Sequence, residues 1–259
     1  MGARLDQHFL ADPAAADAIV GAAGIRPGTT VVEIGPGRGV LTQRMLFLGA
    51  KVTAVEIDSR LAHSLPDRLK DASLSMVCAD FLRLDLASLP SPCTIVSNLP
   101  YAVGTPIMLK LLEWPAWETA VLMFQKEVAL RLVSEPGTRD YGTLTLAVQL
   151  RADAEYMIDV PAEAFRPMPK VDSGVVRLTR LKAPRLPEGL TEGEFNRVIH
   201  SAFSQRRKMA AKLLASALNL PRPTVDAAFS TSGIEPTARA ETISLAQFAA
   251  LTRALKAAA

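Results

Sequence analysis

Val31-Val32-Glu33-Ile34-Gly35-Pro36-Gly37-Arg38-Gly39 is the stretch on which the reading of this 259-residue chain turns. Apolar, mostly β-branched residues surround one acid, and three glycines then come at alternate positions. Val40-Leu41-Thr42-Gln43-Arg44-Met45-Leu46 continues with helical spacing. The pattern is strand, tight turn, helix. Glycines in the turn let the backbone approach a ligand at φ values that a Cβ forbids. The helix N-terminus behind them favours negative charge or a polar ligand edge. The spacing is Gly-x-Gly-x-Gly, not the Gly-x-Gly-x-x-Gly of a dinucleotide fold. Taken alone, an ordinary glycine-rich β–α turn reads the same way.

Outward from this turn the chain repeats one theme. Asp12 and Pro13 open a helix over 13–23. A buried strand is predicted over 51–55 and further strands over 74–78, 93–97 and 120–124, with helices over 59–69 and 106–112 and another opening at Gln125-Lys126-Glu127-Val128. Pro66 is a weak point of the helix it sits in. Alternating strands and helices predict an α/β fold with a doubly wound parallel sheet. Ligands of such sheets sit at the carboxyl ends of the strands, where Gly35, Glu56, Asp80 and Asn98 stand in succession. A helix over 141–151 and strands over 155–160 and 174–181 follow, with a proline-stiffened loop over 165–171. Pro184, Pro187 and Gly189 mark a boundary between a catalytic domain, 1–181, and an all-helical domain, 182–259. The latter has predicted helices over 192–203, 205–218, 224–230 and 244–258.

With 49% hydrophobic and 21% charged residues the chain is globular. No apolar run reaches the roughly 18 residues of a membrane span, and the first residues lack the apolar core of a signal peptide. A cytoplasmic protein is expected. Cys78 and Cys93 show neither metal-ligand spacing nor a disulfide framework, so no metal is expected. The net charge of +3 is unevenly placed: residues 182–259 carry +5 and the remainder −2. A basic C-terminal part suits a polyanionic partner, although a solvated helical face gives the same imbalance.

The strand ends suggest the chemistry. Glu56 follows Glu33 by 23 positions, near the spacing of an acid that accepts hydrogen bonds from ribose hydroxyls; a helix N-terminal acid would look alike. Asp80 is placed to accept from an adenine amino group, with Phe81 against the ring, or else to cap a helix. No Arg follows Glu56 directly, which argues against a 2′-phosphorylated cofactor. The choice is then between a nicotinamide dinucleotide and S-adenosylmethionine. Asn98-Leu99-Pro100-Tyr101 favours the second, because an Asn-x-Pro-aromatic segment ending the fourth strand resembles the catalytic motif of methylases that act on exocyclic base amines. The N6 lone pair of adenine is delocalised into the ring. Two acceptors on its hydrogens, Asn98 Oδ1 and the Leu99 carbonyl, turn that nitrogen toward tetrahedral geometry. Pro100 holds Leu99 extended, Tyr101 offers a stacking face, and the work is positioning and dipole placement.

These motifs resemble the ribosomal RNA adenine-N6,N6-dimethyltransferases, which modify two adjacent adenines in the 3′-terminal hairpin loop of small-subunit RNA. The resemblance runs through Gln7-His8-Phe9-Leu10, 33–39, Glu56-Ile57-Asp58, Asp80, 98–101, 125–128, 165–173, 203–208 and 239–245. It implies a seven-stranded methyltransferase sheet with its last strand antiparallel, and a small helical C-terminal domain. It implies S-adenosyl-L-methionine as cofactor, with His8, Leu10, Gly35, Gly37, Glu56, Ile57, Asp80, Phe81 and Asn98 as the binding candidates. The flipped adenine is expected to stack between Tyr101 and Phe165. Arg206, Arg207, Lys208 and Lys212 are expected to track phosphates. The implied partner is small-subunit ribosomal RNA in a pre-small-subunit particle, met by a monomer. Three features depart from the family pattern: His8 where Asn is usual, Met168 where proline is usual, and Ala102-Val103-Gly104-Thr105 after the motif. Two other readings remain: a large-subunit adenine methylase of the macrolide-resistance type, and an assembly factor that acts mainly by binding.

Overall fold

The computed structural model describes residues 8–205 and 207–258; Gln7 and Arg206 lie outside the described residues. In chain order the strands are β1 (Phe9–Leu10), β2 (Thr30–Ile34), β3 (Lys51–Glu56), β4 (Leu74–Cys78), β5 (Cys93–Asn98), β6 (Trp117–Gln125), β7 (Ala152–Val160), β8 (Phe165–Arg166) and β9 (Ser173–Arg180). The helices are α1 (Pro13–Ala22), α2 (Val40–Phe47), α3 (Ser59–Leu69), α4 (Gly104–Glu113), α5 (Lys126–Leu132), α6 (Thr143–Arg151), α7 (Glu192–Ala202), α8 (Ala210–Leu218), α9 (Arg222–Thr231) and α10 (Leu245–Ala257).

Seven strands form one sheet in the order β4-β3-β2-β5-β6-β9-β7. β4, β3, β2, β5 and β6 are parallel, and β9 runs antiparallel to β6. The inner strands β2, β3, β5 and β6 are buried on both faces, which is why they read as largely apolar runs: Val31, Val32, Ala54, Ile95, Val96, Val121 and Leu122 are all at most 1% exposed; β4, at the sheet edge, is only partly covered. The doubly wound, mostly parallel sheet expected from the sequence is the observed one. Asp12 caps α1 by accepting from the Ala14 and Ala15 N–H groups at 2.8 and 3.3 Å. α3 runs through Pro66 unbroken, with the adjoining Leu65 fully buried.

A separate two-stranded pair joins β1 to β8, with Phe9 opposite Arg166 and Leu10 opposite Phe165. Neither strand was expected, because two residues carry no periodicity. The chain divides into two compact units. One holds the residues up to Leu130 together with Asp153–Arg180, and so all of the sheet except the first residue of β7. The other holds Arg131–Ala152 and the chain from Leu181 onward. The chain from Leu181 onward shares its unit with residues 131–152, which the sequence reading grouped with residues 1–181. Tyr141, Leu146 and Leu150 are buried in one apolar cluster with Phe195, Phe229 and Phe248 of the helical unit. The helix expected from 205 begins only at Ala210, because Met209 bridges Arg239 and the Ala210 N–H donates to Ala238 O at 2.9 Å.

Inside the helical unit the Tyr141 hydroxyl donates to the carbonyl of Ile243 at 2.9 Å, both residues being buried. Tyr141→Phe leaves that carbonyl unpaired, and a loss of about 1–2 kcal/mol is expected. Urea denaturation of the variant beside the wild type measures it; coincident curves would show that the bond contributes nothing to stability.

Candidate functional site

The turn after β2 is built for close approach. Gly35 sits at φ +68°, and a Cβ built on it would meet nothing within 4 Å, so the turn leaves open a cradle that a side chain would fill. Gly39 is fixed for the opposite reason: at φ +75°, its Cβ would lie 2.4 Å from Leu65 Cδ1. The Gly37 N–H donates to Glu56 Oε2 at 3.1 Å, and the Asp58 N–H donates to Glu56 Oε1 at 3.0 Å. One buried carboxylate thereby holds the glycine turn against the end of β3. Beneath it, Glu33 is fully buried and accepts from Thr42 Oγ1 at 2.6 Å. Burial pushes the Glu33 carboxyl up to about 8, the Thr42 hydrogen bond works against that, and the charge of Glu56 adds to it.

At the next strand end Asp80 serves its own turn with one oxygen: Oδ1 accepts from the Leu82 N–H at 2.9 Å. Its Oδ2 lies 3.7 Å from Arg83 Nε. Phe81, only 4% exposed, lays its side chain along the cavity wall, and Ile57 lines the same cavity while remaining half exposed.

Asn98 ends β5, and its Nδ2 donates to the backbone carbonyl of His8 at 3.2 Å. That bond sets the amide so that Oδ1 remains as an acceptor. The Leu99 N–H is taken by Met123 O at 3.2 Å. The Tyr101 hydroxyl pairs with Ser173 Oγ at 2.8 Å, and burial, the main cause, raises its pKa, so the ring is held as a neutral phenol. The His8 imidazole lies 5.6 Å from the Tyr101 ring, tilted by 34°. His8 Nδ1 is 2.8 Å from the Pro167 carbonyl, which can only accept. The proton is therefore assigned to Nδ1, and Nε2 is left as an acceptor.

A single cavity brings together His8, Leu10, Gly35, Gly37, Glu56, Ile57, Asp80, Phe81, Asn98, Leu99, Pro100 and Tyr101. Phe165 is not among its lining residues, and here the sequence expectation is corrected. Phe165 is completely buried in the apolar core that also holds Leu10, Val160 and Val175. Strand pairing with β1 turns alternate side chains to opposite sides, so the ring faces the core and Arg166 faces out. The ring beside Tyr101 is that of His8. Arg207 and Lys208 are exposed on the turn before α8, and Lys212 is exposed on α8; Arg206 lies outside the described residues. The sequence reading passed over Glu33 as part of the floor, Ser173 as the tether of Tyr101, and Val103 and Ile107 as wall residues. The last two stand four apart at the start of α4, a helical spacing that could have shown them.

A seven-stranded sheet of this order, with one antiparallel strand and a glycine turn, two acids and Asn-Leu-Pro-Tyr at the carboxyl ends, defines a methyltransferase. The model of the ribosomal RNA adenine dimethylase family matches residues 2–257, and the chain belongs to that family. It is similar to Ribosomal RNA small subunit methyltransferase A of Paracoccus denitrificans (strain Pd 1222), 43% identical over 98% of this chain and 91% of that one. The protein of the same name from Geobacillus thermodenitrificans (strain NG80-2) is 42% identical over 97% and 89%. Among solved structures, a dimethyladenosine transferase from Plasmodium falciparum superposes with a TM-score of 0.78 at 26% identity, covering 94% of this chain and 96% of that one. The 23S rRNA methyltransferase ErmE superposes with a TM-score of 0.76 at 32% identity, covering 96% and 99%.

The Glu33 environment has a measurable consequence. Its folded-state carboxyl titrates near 8 and its unfolded one near 4.5. Between those values the unfolded chain has lost a proton that the native protein keeps, so this group's contribution to stability falls as pH rises. Glu33→Gln resembles the protonated acid. It is expected to equal the wild type in stability below pH 4.5 and to exceed it increasingly up to pH 8. Urea midpoints compared at pH 4.5 and pH 8.5 read the difference; an offset that does not change with pH would mean that Glu33 is ionised in the native protein.

Proposed function

We propose that this protein transfers methyl groups from S-adenosylmethionine to N6 of two adjacent adenines in the 3′-terminal hairpin loop of small-subunit ribosomal RNA. It would act as a cytoplasmic monomer on a pre-small-subunit particle. The observation that carries the reading is the setting of Asn98: its Nδ2 is engaged by His8 O at the mouth of the strand-end cavity, which leaves Oδ1 as an acceptor beside Tyr101. The open cradle at Gly35 and the paired acids Glu56 and Asp80 fit an adenosine-bearing cofactor. When bound, S-adenosylmethionine supplies a methyl group activated on a sulfonium. Glu56 keeps lone pairs for ribose hydroxyls, and Asp80 and Phe81 hold the adenine side.

The remaining chemistry belongs to the chain. Asn98 Oδ1 and the Leu99 carbonyl accept the two N6 hydrogens of the target adenine and direct its lone pair. Pro100 keeps Leu99 extended, and the Ser173 hydroxyl fixes the plane of the Tyr101 stacking face. No strong base is required, because the cationic amine formed on the target is acidic enough to lose its proton. A site at the ends of buried strands cannot reach into a stacked helix, so the base must be extruded, and a loop adenine costs less to extrude than a paired one. Arg207, Lys208 and Lys212 supply exposed positive charge for phosphates.

The likeness to ErmE favours one further reading, methylation of large-subunit RNA. Identity of 43% and 42% to small-subunit enzymes, against 32% to ErmE, supports the first. Incubation with methyl-labelled donor and unmethylated small or large subunits, followed by mapping of the labelled nucleotides, separates them. Label in adjacent small-subunit adenines is expected, and label confined to the large subunit would reverse the assignment. A protein that binds small subunits and labels neither would be an assembly factor.

Asn98→Ala is expected to slow methylation by about 10²–10³, the loss typical of one preorganised group aimed at the transition state. Affinity for RNA should be unchanged, since phosphate contacts dominate it. Single-turnover methylation and a filter-binding titration on the same preparation provide the two readings; wild-type turnover would remove Asn98 from the mechanism. Replacing Arg207, Lys208 and Lys212 with alanine is expected to flatten the log–log salt dependence of RNA binding by about one unit for every phosphate that is no longer neutralised. An unaltered slope would place the phosphates elsewhere.

A further inference from the structure

Lys110 has no place in the reading above and does not line the cavity. Its surroundings are nonetheless specific. From the last turn of α4 its Nζ donates to three backbone carbonyls, Phe81 at 3.0 Å, Leu82 at 2.9 Å and Leu84 at 2.6 Å. An ammonium group has three donor hydrogens, so this one is fully engaged. Its Nζ also lies 5.8 Å from the centroid of the Phe81 ring, within reach of a cation–π attraction.

The three carbonyls belong to the turn that follows Asp80. At its other end the turn is closed by Asp80 itself: Oδ1 accepts from the Leu82 N–H, and Asp80 O accepts from the N–H groups of Arg83 and Leu84 at 3.0 Å each. The carbonyls of one helical turn point away from its amides. Lys110 gathers the carbonyl end, and the Asp80 end is left toward the cavity with Phe81 as its wall. α4 begins six residues beyond Asn98, so one short helix connects this turn to the segment that holds the target base.

We infer that Lys110 is a positioning residue for adenine recognition: by tying the carbonyls of Phe81, Leu82 and Leu84, it fixes the turn so that Asp80 and Phe81 select an adenine over a 6-oxopurine in the cofactor. The selection follows from donors and acceptors. Adenine presents N6 hydrogens to an Asp80 oxygen, whereas hypoxanthine presents an oxygen that the carboxylate repels. A site built to accept a hydrogen bond discriminates strongly only while its groups are held in place. The inference rests on the reading of the cavity as the S-adenosylmethionine site.

The test is calorimetry of the full-length protein with S-adenosylhomocysteine and with S-inosylhomocysteine, for the wild type, Lys110→Met and Lys110→Arg. Methionine keeps the apolar stem and removes the donors. Its expected effect is about tenfold weaker binding of the adenine ligand, little change for the hypoxanthine ligand, and hence a collapse of the preference. Arginine, with donors in the same region, should restore most of it. Equal weakening of both ligands, or an unchanged preference, would leave Lys110 a structural residue only and overturn the inference. Should the methionine variant not fold, Lys110→Gln carries the same comparison. The donor reading is judged separately by the wild type: failure to bind S-adenosylhomocysteine removes that reading, whereas wild-type binding with an unchanged ratio in the variants removes only the role of Lys110.

Discussion

The hydrogen bond from the Gly37 N–H to Glu56 Oε2 is the constraint on which the site depends. It joins the turn after β2 to the end of β3. Within a turn of three positive-φ glycines, it adds a side-chain tie to the backbone bonds from the Gly35 N–H to Val55 O at 2.8 Å and from the Gly39 N–H to Pro36 O at 2.7 Å. The carboxylate that makes the bond is buried and accepts a second amide from Asp58, and such charge-assisted bonds offset part of the cost of desolvating it. Burying two acids close together has a further cost, and it falls on Glu33, whose carboxyl is pushed up to about 8, chiefly by burial. The floor of the cavity thus carries two buried acids, one tied to backbone amides and the other to a hydroxyl. Such a floor favours a ligand that carries positive charge and hydroxyl donors.

A second constraint brings the start of the described chain to the same place. β1 pairs with β8, and the His8 carbonyl takes the Asn98 amide. The residue that orients Asn98 is therefore ninety positions away in sequence, and Pro167, which takes His8 Nδ1, is 159 positions from that ring. In the mechanism proposed above, Asn98 serves as a directed acceptor while both ends of this clasp are closed. The same clasp explains Phe165: once Leu10 stands opposite it, the ring is drawn into the core beside Leu10 and Val175.

What could be read in the sequence was what is local. Gly35, Glu56, Asp80 and Asn98 each stand at or just beyond the carboxyl end of a strand, and the rule that ligands meet parallel sheets at strand carboxyl ends joins them without any knowledge of the packing. What could not be read was what depends on pairing at a distance. β1 and β8 are two residues long and have no pattern. Phe165, in a proline-rich stretch, has the composition of an exposed loop. α6 looks like one more helix of the α/β series, and only the packing of Leu146 and Leu150 against Phe195 and Phe248 assigns it to the helical unit. Lys110 is one lysine in an amphipathic helix until its three carbonyl partners are seen. The helix expected to start at 205 failed for the same reason, since the bridge from Met209 to Arg239 spans thirty residues.

Every residue that lines the cavity comes from the unit that contains the sheet, whereas Arg207, Lys208 and Lys212 belong to the helical unit. The two sets act through different physics. The strand-end groups are neutral dipoles and buried acids, shielded from salt and effective only at hydrogen-bond range. Exposed cations, in the phosphate-binding role proposed above, act through counterion release, which depends on charge number and ionic strength and is indifferent to an ångström of displacement. Methyl transfer to N6 needs the first kind of precision at one nitrogen, and capture of a large RNA needs the second kind of reach. In the function proposed above the two tasks are kept largely apart: of the lysines and arginines among the described residues only Arg38 lines the cavity, whereas the cations assigned to phosphate stand in the other unit. That separation matches the charge division between a mildly acidic body and a basic C-terminal part.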